Sequence, residues 1–138
     1  MLTEQMTSLI RSEQARQAGR FIETADVDAY LQKLDARADV VSASAADGRC
    51  RGLVAFYCND AGTLRAFITL VVVDPRDRGT GLGRELVSQA LATMKGRGFT
   101  SCRLEVAKDN STAHDLYTSM GFRSIDERAG KDVMETAL

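Results

Sequence analysis

Hydrophobic and polar positions divide the chain into two parts. Residues 3–18 and 27–38 have helical composition, and Asp26 is a candidate N-cap for the second helix. From residue 40 onward, short apolar runs rich in β-branched and aromatic residues are separated by turn signals, which is typical of strands. The predicted strands are Val40–Ala45, Gly52–Cys58, Leu64–Val73 and Ser101–Ala107, followed by one or two strands between Phe122 and Leu138 around a turn at Gly130.

Two further helices interrupt these strands. Apolar residues recur at helical spacing from about Gly81 to Lys95, and Ala113–Met120 predicts a short helix. The order is therefore helices, an antiparallel meander and then β-α-β-α-β. This order predicts one α/β (α+β) domain over residues 1–138, with a mixed sheet flanked by helices. The strand that ends at Val73 and the strand that begins near Ser101 should run parallel, joined by a right-handed crossover.

A glycine-rich segment, Arg78–Gly83 (RGTGLG), joins the strand Ala66–Val73 to the following helix. The first N–H groups of a helix lack partners within it, the helix dipole favours negative charge there, and glycines let a phosphate approach. The segment therefore predicts a site for a phosphorylated ligand. The alternative is a turn that only lets helix and sheet pack closely. A Rossmann fingerprint and a P-loop are both excluded, because the glycine spacing differs and no lysine follows the glycines.

Composition and charge argue against several classes of protein. The 138 residues are 44% hydrophobic and 27% charged, as in ordinary globular domains, and the net charge of −1 argues against a nucleic-acid surface. No apolar run approaches the ~20 residues that span a bilayer, and the first residues lack a signal-peptide pattern. We therefore expect a cytoplasmic protein with reduced cysteines at 50, 58 and 102. His114 is the only histidine, so we expect no metal site.

A second motif lies in residues 104–122, where N-x-x-A-x-x-L-Y-x-x-x-G-F begins at Asn110. Together with the R-x-x-G-x-G pattern of Arg78–Gly83 after a strand, it resembles the GCN5-related N-acetyltransferases, the GNAT superfamily. The resemblance covers roughly residues 50–138, whereas the first 40 residues lack the opening strand that most members have. It implies a mostly antiparallel GNAT sheet with a splayed central strand pair. It also implies transfer of an acetyl group from acetyl-CoA to an amine, without a metal.

The resemblance implies how acetyl-CoA would be held. The main chain of one strand would bond the pantetheine arm, and the following loop would bind the pyrophosphate. Asn110 would help to fix the pantetheine arm. Arg76 and Arg84 are candidates for the outer phosphates, or else solvated surface charges. The implied main-chain contacts come from Leu70, Val71, Val72 and Val73 in the strand and from Arg78, Gly79, Thr80, Gly81, Leu82 and Gly83 in the loop.

Catalytic roles follow from the same resemblance. Tyr117 would lie near the thioester sulfur as general acid, because a phenol with a pKa of about 10 keeps its proton at neutral pH. A backbone N–H between Val71 and Val73 would stabilise the oxyanion. Glu105 matches a glutamate to which a base role is assigned in ribosomal-protein N-terminal acetyltransferases. The alternatives are a surface glutamate, a water chain, or an amine that arrives neutral. For His114 a solvent-facing helix position is the favoured interpretation.

The sequence says less about the amine that accepts the acetyl group than about acetyl-CoA. Residues 23–39 carry an excess of acids, which either attract a cationic amine or cap and solvate a helix. The runs Phe56–Asp60 and Ala66–Leu70 resemble GNAT proteins found with bacterial surface-polysaccharide genes, which are presumed to acetylate nucleotide-linked amino sugars. The predicted acceptor is a primary amine of a small molecule, such as an amino sugar of that kind, or a peptide N-terminus. The alternatives are a non-catalytic acetyl-CoA sensor and a partner-binding domain without a cofactor. Homodimers are common in the family.

Overall fold

The computed structural model describes every residue from Met1 to Leu138 and contains four α-helices, six strands and one 3-10 helix. The α-helices are α1 (Glu4–Arg16), α2 (Val27–Arg37), α3 (Leu82–Gly96) and α4 (Ser111–Ser119), and the 3-10 helix is Pro75–Asp77. The strands are β1 (Asp39–Ser44), β2 (Cys50–Tyr57), β3 (Arg65–Val73), β4 (Ser101–Ala107), β5 (Arg123–Arg128) and β6 (Lys131–Ala137). All predicted elements are present, with small shifts at their ends.

Local capping explains where several helices begin. The Thr3 hydroxyl accepts a hydrogen bond from the Met6 N–H at 3.2 Å at the start of α1. Asp26 caps α2, as the sequence predicts, by accepting from the Ala29 N–H at 3.0 Å. None of the helices has the length and apolar character that a membrane crossing requires.

The six strands form one sheet in the order β1-β2-β3-β4-β6-β5. Only β3 and β4 are parallel, as predicted, and all other neighbours are antiparallel. The final segment forms two strands, joined at Ala129 and Gly130, whose φ angles of 53° and 79° suit a tight hairpin. The structure thus confirms the predicted mixed, mostly antiparallel sheet flanked by helices.

Two cores lie on opposite faces of this sheet. One core, under α1 and α2, combines Leu9, Ile10, Leu31 and Leu34 with Leu53, Ala55, Leu70 and Val72. The other, under α3 and α4, contains Leu86, Val87, Ala90 and Tyr117 together with Ile68, Leu104, Val106 and Met134. The α1/α2 core includes no residue of β4, β5 or β6. On that face the C-terminal half of the sheet is therefore left without a covering helix.

Candidate active site

The two central strands, β3 and β4, separate over most of their length. They pair only from Arg65 with Ser101 to Phe67 with Arg103. Beyond these positions they diverge, and a cleft of about 1130 Å³ opens between β3, β4, α4 and the glycine loop, which is residues Arg78–Gly83. This separation confirms the predicted splayed strand pair. It also exposes backbone groups that would otherwise bond across the sheet.

A β-bulge on β3 determines which side chains point into each core. Ile68 and Leu70 pair with consecutive residues of β2, so Thr69 between them is the extra residue. Ile68 consequently packs under α3, whereas Leu70 packs under α1 and α2, although the two would share a face in a regular strand. The Tyr30 hydroxyl lies 3.1 Å from Thr69 Oγ1. This contact ties the bulge to α2.

Backbone polar groups of β3 face the cleft just beyond the bulge. The Asp74 N–H donates to the Arg51 carbonyl at 2.8 Å, so alternation along the strand directs the N–H and C=O of Val71 and Val73 away from β2. The intervening residues bond to β2. Since β4 has diverged, the Val71 N–H has no partner strand. This part of β3 is a free strand edge, of the kind that pairs with an extended ligand.

Six consecutive backbone N–H groups, those of residues 79–84, donate to no acceptor in the protein. They surround the N-terminus of α3, where the helix dipole favours an anion. Gly79 and Gly81 have φ angles of 77° and 84°, a region that disfavours side chains. A Cβ at either glycine would contact nothing within 4 Å, so the space in front of these N–H groups is open. The arrangement is suited to an anion at the border of the cleft.

The side chain of Arg78 holds the glycine loop against α1. Its Nη2 lies 2.8 Å from Glu13 Oε1, and its Nε donates to the Val73 carbonyl at 3.1 Å. Glu13 is only 3% exposed and also accepts from Gln17 Nε2 at 2.6 Å. The guanidinium of Arg78 is therefore engaged within the protein. Sequence reasoning missed Glu13, although an acid four residues after Leu9 on an apolar helix face was the available signal.

The other predicted cofactor contacts differ in their surroundings. The side chain of Asn110 caps α4 by accepting a hydrogen bond from the Ala113 N–H at 3.2 Å, and Asn110 also borders the cleft. Arg84 also borders the cleft and bonds the Ser119 hydroxyl. Arg76 instead pairs with Asp74 at 3.0 Å, outside the residues that line the cleft. The cofactor roles of these residues remain predictions.

Tyr117 presents its hydroxyl to the cleft from α4. The residue is 7% exposed, and its ring packs edge-on against Phe122 with centroids 5.7 Å apart. Every fully buried polar side-chain atom has a hydrogen-bond partner. The Tyr117 hydroxyl has none and therefore reaches the open space. Burial, with a smaller contribution from Cys102, raises the pKa of Tyr117 to about 12. The phenol is thus a proton donor and not a base at neutral pH.

Glu105 lies on β4, on the face opposite Leu104 and Val106, whose side chains are buried in the α3/α4 core. It is exposed, makes no ion pair and borders the cleft. The alternation predicted from the sequence is therefore correct, and Glu105 lies on the face that α1 and α2 leave open over β4. Its role as a base remains a prediction.

His114 and the cysteines lie apart from the cleft. His114 Nε2 is 2.7 Å from Asp132 Oδ2, which links α4 to β6. Cys50 and Cys102 are buried, and burial raises the pKa of the Cys102 thiol to about 12. No group of three or more His, Cys, Asp or Glu side chains lies close enough together to hold a metal ion.

Comparison with known proteins identifies the family. The model of the acetyltransferase (GNAT) family matches residues 6–122. A mycothiol acetyltransferase of Thermobispora bispora is 46% identical over 55 residues, which are 40% of this chain and 19% of that protein. N-alpha-acetyltransferase 30 of Schizosaccharomyces pombe is 35% identical over 60 residues, or 44% of this chain and 40% of that protein. The chain thus spans only about a fifth of the length of the mycothiol acetyltransferases it matches.

Solved structures share the fold along nearly the whole chain. A GNAT-family acetyltransferase of Staphylococcus aureus Mu50 superposes with a TM-score of 0.81 at 17% identity, covering 98% of this chain and 92% of the other. The PaiA N-acetyltransferase of Thermoplasma acidophilum, solved with coenzyme A, has a TM-score of 0.69 at 20% identity, with 100% and 81% covered. The chain belongs to the GNAT acetyltransferase family. The predicted family and fold are confirmed.

Proposed function

We propose that the chain is an acetyl-CoA-dependent N-acetyltransferase that acts on a primary amine by direct attack. One observation carries this proposal. The unpartnered N–H groups of residues 79–84 and the unpartnered hydroxyl of Tyr117 open onto the same cleft. An anion site at one end and a buried proton donor at the other fit a ligand with a phosphorylated end and a reacting end.

The residues of the cleft suit acetyl-CoA. A pyrophosphate would accept hydrogen bonds from the N–H groups of the glycine loop at the start of α3. The N–H and C=O of Val71 and the N–H of Val73, which face the cleft, would bond the amide groups of the pantetheine arm, as an added strand would; the Val73 carbonyl already accepts from Arg78. Asn110 and Arg84 lie at the cleft wall, where they would contact the arm and the phosphates.

The reaction requires three changes at the thioester. The amine nitrogen attacks the carbonyl carbon and forms the C–N bond, while charge builds on the carbonyl oxygen next to a β3 N–H such as that of Val71. The C–S bond then breaks, and Tyr117 donates its hydrogen bond and proton to the departing sulfur. The amine loses one proton to Glu105 or to water, and Tyr117 regains a proton from solvent. The products are the N-acetylated amine and the CoA thiol.

The surroundings of Tyr117 favour an enzyme over an acetyl-CoA sensor. A module that only binds acetyl-CoA does not need a phenol that opens onto the cleft without a partner in the protein, whereas an enzyme uses such a hydroxyl as a proton donor. Two relatives carry the name N-alpha-acetyltransferase, which supports a peptide N-terminus among the acceptors to be tested.

The experiment that tests the proposal measures CoA release from acetyl-CoA with polyamines, aminoglycosides, amino acids, short peptides and nucleotide-linked amino sugars. Tyr117→Phe is measured beside the wild type. We expect turnover with one class of amine and its loss in the variant. Acetyl-CoA binding without turnover on any amine would favour the sensor, and absence of acetyl-CoA binding would overturn both functions.

A further inference from the structure

One face of the sheet is left open beside the reaction cleft. Helices α1 and α2 pack on β2 and β3, and no side chain of β4, β5 or β6 joins their core. Helices α3 and α4 cover the other face. Glu105 is exposed on the face that no helix covers, whereas its cross-strand partner Val133 is buried at 3% exposure. An acceptor can approach the divergence of β3 and β4 from this side.

A separate hollow of about 330 Å³ lies at the base of the splay on this open surface. Phe67 and Glu105 border both the hollow and the large cleft. A molecule seated in the hollow would therefore lie directly beside the cleft in which we place the thioester. The remaining charged side chains of the hollow are those of Asp60, Arg65, Arg103 and Arg128.

Two guanidinium groups of the hollow make no ion pair or hydrogen bond, although Arg65 lies near enough to Asp60 to contribute to the lowered pKa of that carboxyl. Arg103 is held by Glu135, with Nε 2.6 Å from Oε2. The Asp60 carboxylate accepts the N–H groups of its own turn at 3.1 Å. The guanidinium groups of Arg65 and Arg128 make neither an ion pair nor a hydrogen bond. A guanidinium that is not used by the protein and lines a concave site is suited to a carboxylate or phosphate.

We propose that the acceptor is a small amine that also carries a carboxylate, an amino acid or a short peptide. Arg65 and Arg128 bind its carboxylate in the hollow, and Glu105 receives its amino group at the edge of the cleft. This inference rests on the proposed function and narrows its substrate class. Of the two acids and three arginines of the hollow, Asp60 accepts hydrogen bonds from its own turn and Arg103 pairs with Glu135. Glu105 therefore remains to face the ammonium group of such a zwitterion, and Arg65 and Arg128 remain to face its carboxylate.

The charge of the hollow disfavours polycationic acceptors, and its volume is compatible with an amino acid. A polyamine or an aminoglycoside would bring further positive charge to the two free guanidinium groups, which is unfavourable. The volume of the hollow corresponds to about eleven water molecules at roughly 30 Å³ each. That volume accommodates a group of amino-acid size.

The test compares free L-amino acids with the corresponding amino acid amides, with polyamines and with O-phosphoethanolamine, using CoA release from acetyl-CoA. Removing the carboxylate charge lowers the pKa of the amine, so an amide offers more neutral amine at pH 7.5. Reactivity alone therefore favours the amide. We expect the opposite, a kcat/KM for the preferred amino acid at least about tenfold above its amide, because bonds to charged groups discriminate strongly.

Arginine variants test whether the acceptor carboxylate is bound by Arg65 and Arg128 or only attracted by the positive charge of the surface. Arg65→Gln and Arg128→Gln should each raise the KM for the amino acid about tenfold and leave that for the amide unchanged. The matched control is Arg123→Gln, an exposed arginine on β5 outside the hollow, which should change neither. Amides or polyamines that react as well as the acids, or arginine variants without effect, would overturn the inference and leave the proposed function intact. Preference for O-phosphoethanolamine would also overturn the inference, because the two arginines would then recognise a phosphate and not a carboxylate. Absence of turnover with every amine would overturn both proposals.

Discussion

Replacing Tyr117 by Phe removes one hydroxyl and leaves the ring that packs against Phe122. The hydroxyl forms no hydrogen bond within the protein, so its removal leaves no protein group unpaired. We therefore expect the free energy of unfolding to change by less than about 0.5 kcal/mol. Acetyl-CoA affinity should also stay the same, because the hydroxyl is needed only as the C–S bond breaks.

The effect on rate should be large. A positioned general acid contributes roughly 10²- to 10⁴-fold to a reaction. That range equals about 2.7 to 5.4 kcal/mol of transition-state stabilisation at about 1.36 kcal/mol per tenfold. Both kcat and kcat/KM should fall together, since the interaction is made only in the transition state. In the wild type, the raised pKa of Tyr117, about 12, should keep this donor protonated, so the rate should not decline on its account below about pH 10.

Tyr30→Phe is the matched control for this change. Tyr30 also borders the cleft, but its hydroxyl bonds Thr69 within the protein. Its loss should cost about 1 kcal/mol of stability and change the rate only a fewfold. CoA release at saturating acetyl-CoA gives the rates, and thermal unfolding gives the stabilities. A Tyr117→Phe variant that turns over within threefold of wild type would refute the assignment of this tyrosine as the acid.

Three further outcomes are expected. Asp74 is 6% exposed and pairs with Arg76 and Arg49, and these arginines lower its pKa. Its contribution to the free energy of unfolding should therefore be complete above its unfolded pKa of about 3.9 and should be lost progressively as the pH falls below that value. Asp74→Asn should cost about 1–2 kcal/mol in urea unfolding at pH 7, a difference that shrinks in acid; an equal cost at pH 3 would contradict this. Glu105→Gln should lower kcat about 100-fold without changing acetyl-CoA affinity, whereas an unchanged kcat would assign the proton to water. Cys102, fully buried with its pKa raised to about 12, should resist iodoacetamide at pH 8 until the chain unfolds, as mass spectrometry would show.

Local patterns were sufficient to predict the elements and much of the sheet. The β-branched run of β3, the glycines after it and the apolar spacing of α3 each act within a few residues, so the sequence displays them directly. The same applies to Asp26 and to the hairpin turn at Gly130. These signals, with the short-connection rules, also predicted the parallel pairing of β3 with β4.

Long-range contacts were harder to predict. The hydrogen bond that Arg78 donates to Glu13 joins residues 65 positions apart, and no periodic pattern specifies which buried acid meets which arginine. The bulge at Thr69 is also hidden, because the strand reads as a regular apolar run while its faces exchange at that residue. The ion pair between Arg103 and Glu135, 32 positions apart, became visible only once β4 and β6 lay side by side.

Calorimetric titration with acetyl-CoA tests the central claim, that the glycine loop holds the pyrophosphate. Gly81→Asp puts a carboxylate in front of the free N–H groups and should weaken binding at least about 100-fold, since like charges in contact cost several kcal/mol. Gly98→Asp is the matched control, because its φ of 86° imposes the same backbone strain and Gly98 lies outside the cleft. We predict wild-type affinity in Gly98→Asp and its loss in Gly81→Asp. Equal affinity in the two variants would contradict the account.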